Sequence, residues 1–277
     1  TAKYMELNGY EVDFIDPNKS GQISIEEVLE KLREDTLLVS IMHVNNETGV
    51  IQPVLELGEE IQKRGILFHI DATQSCGKLV EEIRNLKYDM LSFSAHKLMG
   101  PQGVGALILK RKLYKRPPIK GIMYGGQQEQ GIRPGTIPVA LVVGCGKACE
   151  IAEHEYKENE RHSLQIKEAI LFVLEESGLK YQINGNQVVC VSSTLNIAID
   201  GVSSEALMIS SKQYCGISNG SACTSSNYSP SYVLAAMGLD GSRIEASLRL
   251  SWGPNSDLKE VVDNFKKLLY VAKLMAN

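Results

Sequence analysis

The chain has 277 residues, of which 43 % are hydrophobic, and a formal net charge of -4 at pH 7. That length supports a large core in one large or two smaller domains, and the acidic balance provides no global attraction to nucleic acid or an anionic membrane, so direct nucleic-acid binding is not expected. Six cysteines with no C-x-x-C pair, no apolar run of about 18 residues and an N-terminus, "TAKYMELNGYEVDFID", without signal-peptide features predict reduced thiols, no membrane span and a cytoplasmic location.

In chain order, "DTLLVSIMHV" (35–44) is a β-branched apolar run that predicts a strand buried on both faces. "LELGEEIQKRG" (55–65) has helical spacing and closes on glycine, and "ILFHID" (66–71) is apolar again, giving strand, helix, strand. "YDMLSFS" (88–94) and "GALILK" (105–110) predict a third and a fourth strand. Strands separated by helix-length crossovers imply an α/β fold, a mainly parallel sheet with helices on both faces. Residues 110–136 are loop-rich and open on the basic cluster "KRKLYKRPPIK", which reads as a solvated loop or a docking patch. The long helical run that follows turns heavily charged near 153–162, predicting a break or an interdomain bridge. The expected division is a large domain over 1–152 and a small C-terminal α+β domain over 153–277, built on "STLNIAID", "EALMISSKQ" and "LKEVVDNFKKLLYVAKLMAN".

Ligands of open parallel sheets sit beyond the carboxyl ends of the strands. The residues there are polar in every case: Asn45 and Asn46, then Asp71 and Gln74, then Ser94, His96 and Lys97. Each alone has a structural explanation as a turn former or a cap. Together they form a constellation. A nucleotide site does not fit "SFSAHKLMGPQGVGA" (92–106), because Lys97 precedes the glycines and the third glycine of the dinucleotide fingerprint is missing. Pyridoxal 5'-phosphate (PLP) uses every group: Lys97 would form a Schiff base with the aldehyde and Asp71 would pair with the pyridinium nitrogen.

"VSIMHVNNETGVIQP", "FHIDATQSCGKL", "DMLSFSAHKLMGPQGVGAL" and "SNGSACTSSNYSPSYVLAAMGL" resemble the cysteine desulfurases, PLP enzymes of fold type I in the class V aminotransferase group. The resemblance implies that Lys97 is the Schiff-base lysine and Asp71 the pyridine-nitrogen partner. It implies that Asn46 and Gln74 contact the ring's phenolic oxygen and neighbouring atoms, and that Ser94 and His96 hold the phosphate. Thr136 matches a phosphate contact lent by the second subunit of a homodimer, and Arg249 the arginine that binds the substrate carboxylate. Cys223, in a run of small polar residues, matches the nucleophile that takes sulfur from L-cysteine, leaving alanine and a persulfide for an acceptor protein. The "SACTS" motif resembles the class with the long active-site loop.

The acceptor stays open among iron-sulfur cluster assembly scaffolds, transfer-RNA thiolation proteins and DNA phosphorothioation machinery. No metal site is expected. The competing readings are a related PLP aminotransferase or lyase and a truncated, poorly active partner-binding subunit. The family's N-terminal segment, with a phosphate-binding turn and a ring-stacking histidine, has no counterpart in these 277 residues, so weak PLP binding by the chain alone is expected. His43 and His69 are expected to pack in the sheet, and His154 and His162 to be solvated. Cys145 and Cys149, spaced for one helix face, and Cys190 and Cys215 are expected to serve as small buried hydrophobes.

Overall fold

The structure is a computed structural model that describes residues 1–219 and 230–276. In its N-terminal part α1 (Ala2–Leu7) and α2 (Ile25–Glu30) precede β1 (Leu38–Met42), followed by α3 (Val54–Lys63), β2 (Leu67–Asp71), α4 (Val80–Asn85), β3 (Met90–Ser94) and β4 (Gly105–Leu109). The four strands form one sheet in the order β1-β2-β3-β4. β1, β2 and β3 are parallel, with Met42 level with Asp71 and Asp71 level with Ser92, whereas β4 returns antiparallel to β3. Two helix-bearing crossovers therefore bring three carboxyl ends to one edge.

One face of this sheet forms a core with the helices. Phe68, Ile70 and Leu91 pack with Val28 of α2 and Val54, Leu57 and Ile61 of α3. Ser24 starts α2 by accepting a hydrogen bond from Glu27 N at 3.2 Å, a side-chain N-cap that satisfies one of the free amides of the first turn. The strand expected to be buried on both faces, β1, instead alternates: Leu38 and Met42 are exposed while Val39 and Ile41 lean on the core. Among the described residues, only the face that carries Val39 and Ile41 is covered.

α5 (Val139–Glu176) is one continuous helix of 38 residues. No break occurs in the charged middle, and the division expected at residues 152 and 153 falls inside the helix. Its N-terminal half contacts the turn after β3, and its C-terminal half enters a second core. There Ile166, Ile170 and Leu174 pack against β6 (Thr194–Ile199), β7 (Ser247–Ser251) and Phe265, Leu268 and Leu269 of α9 (Leu258–Ala276). The antiparallel sheet of this part runs β5 (Tyr181–Ile183)-β6-β7. Completely buried β6 lies in its middle. α6 (Ser204–Ser211), α7 (Tyr232–Ala236) and α8 (Gly241–Glu245) complete the chain, each capped by the side chain of the preceding residue, Ser203, Ser231 or Asp240. No helix among the described residues is long and apolar enough to cross a membrane.

Candidate active site

The strand "LFHID" alternates with the pleat. Phe68 and Ile70 enter the core, so His69 and Asp71 share the opposite face. His69 spans three strands there: Nδ1 lies 2.8 Å from Ser40 Oγ on β1 and Nε2 lies 3.0 Å from Ser92 Oγ on β3. Burial pushes the His69 pKa down, and the nearby Asp71 carboxylate pulls it part of the way back. The neutral ring is thereby favoured, with one nitrogen donating and the other accepting. Asp71 closes the strand at the carboxyl edge, where its Oδ1 accepts from Thr73 N at 2.9 Å. Half-buried Gln74 follows in the turn.

β3 runs into a short 3₁₀ turn, Ala95–Leu98, in which Ala95 and Leu98 are buried and His96 and Lys97 face outward. Ser94 Oγ lies 2.8 Å from His96 Nδ1. Lys97 makes no ion pair or hydrogen bond among the described residues, so its amine is uncommitted. The turn is held from below by Gly77 (φ +80°), where a Cβ would lie 3.0 Å from Leu98 Cβ and 3.2 Å from Ala152 Cβ. That close approach brings half-buried Lys78 beside Lys97. Burial, and then the Lys97 charge, push the Lys78 amine down to about 8.

On the first strand's side, Asn45 Oδ1 accepts from Glu47 N at 2.9 Å and Thr48 N at 3.0 Å, an Asx turn that fixes the loop and leaves Asn46 exposed. Arg249 reaches this loop from β7, its Nη1 donating to Asn46 O at 3.1 Å. Its backbone is clamped by Ser218, whose carbonyl accepts from Arg249 N at 2.6 Å. Glu47 is 2 % exposed; its Oε2 accepts from Ser231 Oγ at 2.5 Å and its carbonyl from Asn196 Nδ2 at 3.2 Å.

The fold thus gathers Asn46, Asp71, Gln74, Ser94, His96 and Lys97 at one sheet edge and joins Arg249 to it from the other sheet. Thr136 is exposed in the loop before α5 and bonds to none of them among the described residues. Cys223 lies outside the described residues. Glu47 and Lys78 join the site without having been singled out in the sequence, and His69, expected only to pack in the sheet, lies beside Asp71 there. The alternation of "LFHID" carries the signal for His69 beside Asp71. No local pattern carries it for Glu47 or Lys78.

Residues 1–265 match the class-V aminotransferase family. The chain belongs to that family. Among class-V relatives, it is 40 % identical over 260 residues to the cysteine desulfurase IscS of Photobacterium profundum, covering 94 % of this chain and 63 % of the relative. It is 41 % identical over 261 residues to IscS of Pasteurella multocida, again 94 % of this chain and 64 % of the relative. The chain therefore spans somewhat less than two thirds of the length of these curated relatives. Among solved structures it is similar to DndA from Streptomyces lividans, with a TM-score of 0.80 and 39 % identity over 91 % of this chain and 70 % of that one. A structure of SspA in complex with cysteine gives a TM-score of 0.75 and 32 % identity, covering 92 % and 70 %.

Proposed function

We propose that the protein is a PLP-dependent cysteine desulfurase that converts L-cysteine to L-alanine and passes the sulfur, as a persulfide on Cys223, to an acceptor protein. The observation that carries this reading is the uncommitted Lys97 amine one strand away from the Asp71 carboxylate at the carboxyl edge of a parallel sheet. The donor set fits the cofactor: an amine for its aldehyde, a carboxylate for its ring nitrogen, and the Ser94 and His96 pair for its phosphate. Gln74 and Asn46 stand where the ring's oxygen would need donors. When bound, PLP supplies an electron sink that weakens bonds at the α-carbon and, through it, at the sulfur-bearing carbon.

The protein's own groups do the rest. Asp71 presents its carboxyl group at the end of β2, oriented by the hydrogen bond from Thr73 N. The neutral His69 behind it spends its hydrogen bonds on Ser40 and Ser92, which fixes the polar face of the sheet. Arg249 offers its planar guanidinium to the substrate carboxylate, a bidentate match that a lysine cannot reproduce. One of its nitrogens is spent on Asn46 O, which sets the direction of the remaining donors. The Lys97 amine, once free, is the group placed to take the α-proton of the substrate. The Cys223 thiolate would form an S–S bond with the substrate sulfur as its C–S bond breaks; the electron pair stays with the carbon, which gains a proton to become the methyl of alanine.

Exposed Thr136 lies beside a surface rich in exposed apolar groups, including Ile122, Tyr124, Val139 and Val143. That surface supports a homodimer in which Thr136 serves the partner's phosphate site. The division of labour is a PLP-binding large part up to the middle of α5 and a C-terminal part from there on that contributes Arg249 and Cys223.

The test is chemical trapping. Borohydride treatment of the protein supplied with PLP should leave a reduced pyridoxyl adduct on the peptide containing Lys97, lost in Lys97→Ala. With L-cysteine, a persulfide should appear on Cys223, and Cys223→Ala should keep the Lys97 adduct while losing the persulfide. An adduct on another lysine, with Lys97 unmodified, would reject the assignment. Formation of a keto acid from an amino acid in place of alanine from cysteine would favour an aminotransferase.

A further inference from the structure

Lys167 lies on the C-terminal half of α5 and is 5 % exposed, yet no described carboxylate pairs with it. Its Nζ lies 3.6 Å from Cys190 Sγ and 3.3 Å from the carbonyl oxygen of Val191. An ammonium in such a place has no opposite charge to offset its lost hydration. Among the described residues the thiol is its one soft, reactive neighbour. Cys190 is half-buried, and its sulfur faces the carbonyl oxygens of Val191 at 3.4 Å and Thr48 at 3.5 Å. On another side it is confined by Gly49, where a Cβ would come within 3.0 Å of it. Burial pushes the Cys190 thiol up, and the Lys167 charge pulls it part of the way back.

We propose that Lys167 and Cys190 are an oxidative cross-linking site, which closes a covalent Nζ–Sγ bond when the protein meets hydrogen peroxide. In the first step Lys167 Nζ takes the thiol proton and the Cys190 thiolate attacks peroxide: an S–O bond forms, the O–O bond breaks, and the departing hydroxide takes the proton back from Nζ and leaves as water. The sulfur is oxidised by two electrons and the peroxide is reduced by two. In the second step the Lys167 nitrogen lone pair attacks the sulfenic sulfur, the S–O bond breaks, and the hydroxyl leaves as water with a proton from nitrogen. Amine, thiol and peroxide become one sulfenamide and two waters. Condensation of a sulfenic acid with nitrogen is established cysteine chemistry. The usual nitrogen for it, the next backbone amide, is committed here, because Val191 N donates to Gly49 O at 3.0 Å. A dithiol reverses the link, becoming a disulfide as it restores the amine and the thiol.

The place of the link matters. Segment 189–191 is paired with loop 49–51, through Ile51 N to Val189 O at 2.8 Å as well as Val191 N to Gly49 O. That loop continues from Asn45 and Asn46. The cross-link would tie α5 to the seam that carries the Asn46 side of the site.

Peptide mapping after peroxide treatment and alkylation of free thiols decides the matter. The expected species is a pair of peptides joined through Lys167 and Cys190, lighter than their sum by two hydrogens, resistant to trypsin at Lys167 and released by dithiothreitol. It should be absent in Lys167→Arg and in Cys190→Ser. A wild-type map in which Cys190 is sulfenic or sulfinic acid while trypsin still cleaves at Lys167 would overturn the proposal. So would a joined pair that retains the oxygen. Both outcomes are read on the wild-type protein, so neither depends on how the variants fold.

Discussion

Glu47 sits in the loop after β1 with its carboxylate inside the protein, held by Ser231 and facing Arg249. Burial pushes its carboxyl above the ordinary value of 4.5, and the Ser231 hydrogen bond and the Arg249 charge oppose that shift. The folded state then holds a proton that the unfolded chain has already released, so the contribution of this group is complete below 4.5 and is lost as pH rises through the raised folded value. Glu47→Gln is neutral at every pH and still presents a carbonyl oxygen to Ser231. In urea unfolding across the acid range, wild type should therefore lose stability relative to the glutamine variant as pH rises above the ordinary carboxylate value. A constant difference across that range would show that the carboxyl is not perturbed. Cys76 gives a second residue-scale expectation. Burial first, and then the neighbouring Cys149 and Cys145, push its thiol up to about 12. The thiolate is the reactive form, so iodoacetamide at neutral pH should leave Cys76 unmodified in the folded protein and label it in denaturant.

At the scale of elements, the position of Lys97 depends on the contact of one turn with another. Gly77 has a positive φ and no room for a Cβ between Leu98 and Ala152. Gly77→Ala should cost about 1–3 kcal/mol in denaturant unfolding, because both the backbone conformation and the packing are violated. It should also weaken trapping of PLP at Lys97 by displacing the 3₁₀ turn; unchanged trapping together with unchanged stability would show that the approach is not tight. Several elements here were legible before folding. The strands at 38–42, 67–71, 90–94 and 105–109 and the helix at 54–63 follow from apolar runs and their punctuation, which are local properties. The coverage of β1 was not legible, because whether a strand's second face is covered depends on what packs on it from elsewhere in the fold. For α5 the sequence left a break or a bridge open: its glycines and charges lower local propensity, but packing at both ends keeps the helix continuous. His162, expected in solvent, is half-buried with Nε2 2.8 Å from Ser256 O, a contact 94 residues away in sequence. His154 is exposed, as its charged surroundings imply.

At the scale of the molecule, the site is made by two sheets that share no strand, and Arg249 is where they meet. Residues 46 and 249 are separated by most of the chain, and nothing local in "NNETG" or "SLRLS" tells one about the other. Only the family resemblance tied Arg249 to the site ahead of the fold. The fold adds the contact with Asn46 O and the β-bridge to Ser218, which stiffen the guanidinium before any carboxylate arrives. Arg249→Lys keeps the charge but loses the planar fork, and charge-assisted hydrogen bonds of this kind contribute about 1.5–3 kcal/mol. Apparent affinity for L-cysteine should fall by about tenfold to a hundredfold on that basis, whereas borohydride trapping at Lys97 should be unaffected, because the proposed cofactor ligands Asp71, Ser94, His96 and Lys97 lie at the edge of the first sheet. Steady-state kinetics paired with the trapping assay separates the two effects. Equal loss of both would mean that Arg249 supports the junction of the two sheets as a whole, and the substrate carboxylate would then have to be bound elsewhere.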